Sequence, residues 1–107
     1  MTTFDEREKG FEAKYKHDQE IQFKVNARRN RLLGQWAAAK LGKTGAEADA
    51  YAKAVVEADF ERPGPDDVVE KIARDFALAK LALGESDIRK EMERLLGVAK
   101  EQIAKAI

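Results

Sequence analysis

The chain has 107 residues, room for one domain with a modest core and too few for two. It contains no cysteine, which excludes disulfides and thiolate metal sites, and its 20 Lys and Arg balance 20 Asp and Glu, which argues against a nucleic-acid or anionic-membrane binder driven by excess positive charge. No apolar signal region follows the first charge at Asp5 and no window nears the ~20 apolar residues of a membrane span, so a cytoplasmic protein that stays where it is made is expected.

Residues 1–18 read as an arm. At helical spacing Phe4, Phe11 and Tyr15 share one stripe, and Asp5–Lys9 and Glu12–Lys16 are i,i+4 pairs in the favourable order. Thr3 and Glu6 have the spacing of a capping box. Gly10 opposes these signals at a cost of roughly 1 kcal/mol relative to Ala. A segment of about four turns is marginal in water. Two readings stay open for it: a solvated, frayed terminus, or a segment that becomes helical when a partner buries its rings.

A bundle over residues 19–107 should follow. Its first helix is expected from Gln19 to Leu41, with Ile21, Val25, Leu32 and Trp36 in one apolar row, Leu33, Ala37 and Leu41 widening it, and Gly42 ending it in a left-handed turn. Thr44 with Glu47 should start a second helix whose buried face is Tyr51, Val55 and Ala58, with Phe60 folding in at its end. The stretch ERPGPDD stops that helix, because Pro63 and Pro65 cannot donate the helical hydrogen bond. Asp66 and Asp67 suit the positive end of a third helix carrying Val69, Ile72, Phe76, Ala79 and Leu83 and closed by Gly84. Ser86 should cap a fourth, with Ile88, Met92, Leu95, Leu96, Ala99 and Ile103 inward. The fold class is therefore all-α, a four-helix bundle with a mobile N-terminal arm. The expected core of this monomer comprises Val25, Leu32, Trp36, Val55, Ile72, Phe76, Met92, Leu95 and Leu96.

Material for catalysis is thin, so no enzyme is expected. His17 is the single histidine and has no second His or Cys with which to hold a metal. Asp66 and Asp67 are already explained by a helix start, and neither a GxxxxGK[ST] loop nor a GxGxxG motif is present. Charge placement says more. From Lys24 to Lys43 every charge is basic, and from Thr44 to Glu70 acids prevail. These fields could face each other across the first two helices and fix their pairing. Alternatively, Arg28, Arg29 and Arg31 stay open to an anion such as a nucleotide phosphate, or to an acidic protein surface. Weak ATP or ADP binding is the only small-molecule expectation, and no cofactor is expected.

The run FDEREKGFEAKYKHDQEIQFKVNARRNRLLGQWAAAKLG resembles the N-terminal half of the zeta subunit of alphaproteobacterial F-type ATP synthases, and the resemblance continues through RPGPDDVVEKI and the rest of the chain. It implies a helical bundle with a mobile arm that inhibits ATP hydrolysis by the synthase. The arm is also similar to the inhibitory segment of the mitochondrial ATPase inhibitor protein, whose pattern Phe4, Arg7, Glu8, Lys9, Glu12, Lys14 and Tyr15 match in order. Phe11, where that pattern has an acid, and Gly10 depart from it, so contacts there do not carry over. By resemblance the arm enters the cleft between a catalytic and a non-catalytic subunit and folds there. The implied partners are the alpha and beta subunits of the catalytic head, with gamma a further candidate. The implied location is cytoplasmic, at the inner membrane through the synthase, without insertion into it. The competing functions are a small nucleotide- or anion-binding regulatory module and a plain helical adaptor.

Overall fold

The computed structural model describes the backbone of residues 2–61 and 65–106 and the side chains of 18–59 and 66–106. Four helices account for it: α1 (Thr2–Lys40), α2 (Gly45–Glu61), α3 (Pro65–Leu78) and α4 (Glu85–Ala106). Neighbours pack in a ring, α1 against α2 and α4, and α3 against both of those. Ala-, Leu-, Lys- and Glu-rich composition favours helix locally, and each apolar face gains stability only by burial against another.

The helix expected from Gln19 begins at Thr2, so α1 runs through the expected arm boundary. Asp18, Gln19 and Glu20 are exposed, Ile21 is the first described side chain to pack on the core, and Val25 is the first to be buried. At 39 residues α1 is longer than α2 (17) or α4 (22). The expected mobility of the arm and the stripe of Phe4, Phe11 and Tyr15 lie outside the described side chains, as do the placement of Phe60 and the loop at 62–64.

Gly42 ends α1 as expected. With φ +77° it occupies the left-handed position, its N–H donating to the Ala39 carbonyl (3.1 Å) and that of Lys43 to Ala38 (2.9 Å), the paired bonds of a Schellman turn. The expected end of the third helix needs correction. It closes at Leu78, where the same pair of bonds recurs, Lys80 to Ala77 (3.0 Å) and Leu81 to Phe76 (2.9 Å), and Lys80 takes φ +60°. No glycine marks that turn, so the sequence pointed to the next one. Gly84 instead caps α4: its carbonyl accepts from Ile88 N–H (3.2 Å), and its N–H donates to the Asp87 carboxylate (3.0 Å). Ser86, the expected cap, sits inside the first turn of α4.

Leu33, Ala37, Val55, Val68, Val69, Ile72, Phe76, Ile88, Met92 and Leu95 form the main core, and Val25, Ala99 and Ile103 a second cluster where α1 meets the end of α4. Three expected core residues, Leu32, Trp36 and Leu96, are only partly buried and pack on its flank. Ala79 is exposed and Leu83 lies past the helix end, half-buried. The positions that replace them are often small, including Ala37, Ala38 and Ala52. The cause is a close crossing of α1 and α2: a Cβ built on Gly34 would stand 2.7 Å from the Ala52 Cα. Gly34→Ala is therefore expected to destabilise the fold by about 1–2 kcal/mol through overpacking, where helix propensity alone would give a gain of ~1 kcal/mol. Urea unfolding decides the sign.

Candidate functional site

The sequence marks two sites. The first, Phe4, Arg7, Glu8, Lys9, Phe11, Glu12, Lys14 and Tyr15, falls on the N-terminal part of α1, where side chains lie outside the described residues, as does His17. The second, the basic cluster, is fully described and proves to be divided.

Arg29 turns inward. It is partly buried, and its Nε and Nη2 donate to the Asn30 Oδ1 at 3.3 and 3.1 Å. Burial lowers its pKa, and the nearby Asp59 carboxylate of α2 works against that shift. Facing fields thus describe Arg29 and Asp59. Asn30 is fully buried, and its Nδ2 has no hydrogen-bond partner among the described residues.

Arg28 and Arg31 are exposed and face a groove. Lys24, Arg28 and Arg31 of α1 and Lys53 of α2 supply its cations, and Asp49 is the one acid among the lining residues. Ala27, Ala52, Val56 and Ile103 give it an apolar floor, and Phe23 stands at its edge, 57% exposed. Its volume is ≈ 730 Å³ and it opens to solvent. None of the four cations forms an ion pair or side-chain hydrogen bond with another described residue. Lys24–Arg28 and Arg28–Arg31 are i,i+4 and i,i+3 like-charge neighbours, an arrangement that costs the helix a few tenths of a kcal/mol. Lys24 was visible in the basic run, but Lys53 comes from the largely acidic second helix, and only the antiparallel pairing of α1 with α2 brings it to the same groove.

A third polar group joins α2 to α3. The Tyr51 hydroxyl donates to Asp75 Oδ2 (2.7 Å), which also accepts from Lys71 Nζ (3.1 Å), and Lys71 lies 5.1 Å from the Tyr51 ring centre. Burial, then the hydrogen bond to Asp75, raises the Tyr51 pKa well above that of a free phenol. A folded pKa above the unfolded one means the contribution to stability is complete below pH ~10 and is lost as pH rises beyond it. Tyr51→Phe is accordingly expected to cost about 1–2 kcal/mol at neutral pH and to flatten the alkaline decline, as read by urea midpoints at pH 7 and above pH 10. The Tyr51–Asp75 bond ties α2 to α3.

No cluster of three or more His, Cys, Asp or Glu suited to a metal occurs among the described residues, and none of their helices is long and apolar enough to cross a membrane. A search of curated proteins finds no match. A protein solved in solution by NMR is similar at 45% identity, with a TM-score of 0.71 over 81% of this chain and 99% of that one. The family model described as ATPase inhibitor subunit zeta matches residues 1–102, which include the arm, all of α1 to α3 and α4 as far as Gln102. The chain belongs to the ATPase inhibitor subunit zeta family.

Proposed function

We propose that the chain inhibits ATP hydrolysis by an F-type ATP synthase, placing residues 1–18 as a helix in the cleft between the alpha and beta subunits of the catalytic head. The observation that carries this reading is the length of α1: it outlasts the helices beside it, and its described packing on the core starts only at Ile21. The segment before that point carries Phe4, Arg7, Glu8, Lys9, Phe11, Glu12, Lys14 and Tyr15. Its marginal helicity suits entry into a cleft that opens transiently, because a segment ordered on binding can thread in and then offset its ordering entropy by burying three rings.

In this role the chain performs no chemistry. It acts as a monomer on the cytoplasmic face of the inner membrane, held there by the synthase, and blocks the closure of the interface that hydrolysis requires. The test is addition of the purified chain to alphaproteobacterial membranes. Hydrolysis should fall in proportion to bound chain, and the alpha and beta subunits should be recovered with it; unchanged hydrolysis with no recovery of those subunits overturns the reading.

A further inference from the structure

The groove beside the arm is a second contact that the inhibitory arm alone does not explain. Phe23, at its edge, lies eight residues beyond Tyr15, about 12 Å along a helix. On the same helix Lys24, Arg28 and Arg31 follow at about 14, 20 and 24 Å from Tyr15, so a partner surface that holds the arm and continues along α1 meets the groove that they line with Lys53. These four cations have no partner among the described residues, although the chain carries as many acids as bases. Arg29, from the same run, is turned inward. The bundle thus separates one arginine for internal use from a set left unneutralised next to the arm.

We propose that this groove docks an acidic surface segment of the ATPase head, at the rim of the cleft that receives the arm; the proposal rests on the inhibitory reading above. Charge selects the occupant. A rim of four cations with one acid repels basic surfaces and attracts acidic ones, and the apolar floor of Ala27, Ala52, Val56 and Ile103 accepts a side chain from such a segment. The open form and a volume of ≈ 730 Å³ suit an extended surface. The cations stand on two helices, α1 and α2, and so line both sides of the groove. Docking here steers the arm into register before it orders, so its main effect falls on the rate at which inhibition sets in.

The test uses the full-length chain and the purified synthase. The triple variant R28E/R31E/K53E changes only exposed positions, and circular dichroism checks its fold. The wild-type chain should lose onset rate between ~20 and ~200 mM salt, while the variant, with its groove made acidic, should set in about tenfold more slowly at low salt and gain rate as salt screens the repulsion. Asp49→Lys removes the one acid of the lining and should speed onset. Wild-type onset and salt dependence in the triple variant would overturn the proposal and leave the inhibitory function standing; loss of that function would show instead as a chain without residues 1–18 that still inhibits. If ATP or ADP saturably shifts the amide resonances of Arg28, Arg31 and Lys53 while the triple variant inhibits with normal onset, the groove belongs to the nucleotide phosphate and the docking proposal falls.

Discussion

Deletion of residues 1–18 is expected to abolish inhibition of ATP hydrolysis while leaving the melting of the remaining bundle almost unchanged. Both halves follow from where packing begins. Asp18, Gln19 and Glu20 are exposed, and the buried clusters draw on Ile21, Val25 and residues beyond. The bundle's own apolar row begins near Ile21, so the loss in stability should stay within the ~0.5 kcal/mol typical of surface changes. The loss in function should be complete, because the segment proposed to enter the cleft is gone. Within the full chain, Phe4→Ala or Tyr15→Ala should each weaken inhibition by ~1–3 kcal/mol, the range for an aromatic anchor, and His17→Ala should change it little. Hydrolysis titrations with each variant read these effects. A truncated chain as inhibitory as the full one would assign the function to the bundle.

Phe76→Ala should produce the largest loss of stability of any single truncation, about 3–5 kcal/mol. Among the described residues Phe76 is the largest of the fully buried side chains, and it sits in the main core with Leu33, Val55 and Ile72. Its ring also meets Trp36 edge-on, centroids 5.7 Å apart at 64°. Such a loss is a large share of the ~5–15 kcal/mol that holds a domain of this kind together. Trp36→Ala is expected to cost less, about 2 kcal/mol, because the indole is only partly buried and water can reach part of the space it leaves. Urea unfolding of both variants gives the comparison, and a Phe76→Ala loss no larger than that of Trp36→Ala would place the centre of the core elsewhere.

Helix content, helix number and the order of the elements were legible in the sequence because they depend on local terms: apolar spacing, the prolines at 63 and 65, and Gly42 in its left-handed turn. The end of the third helix was not. The left-handed residue of the turn that follows Leu78 is Lys80, and a lysine at φ +60° carries no sequence mark of the kind glycine gives.

Core membership was half legible. Rows of large apolar residues pointed to Val25, Val55, Ile72, Phe76, Met92 and Leu95, all buried. The same rows overvalued Leu32, Trp36 and Leu96, since a row defines a stripe while burial depends on which edge of it the neighbouring helix covers. Ala52 and Gly34 matter for being small, which counts only once two backbones cross closely.

The arm's pattern and the basic run could be read from residue order alone, because each lies within one helix and repeats at its spacing. That Arg29 would turn in beside Asn30 while Arg28 and Arg31 faced out with Lys53 was decided by the tertiary structure. Adjacent residues on a helix point about 100° apart, and only the position of α2 against α1 determines which of those directions meets a carboxylate and which meets solvent.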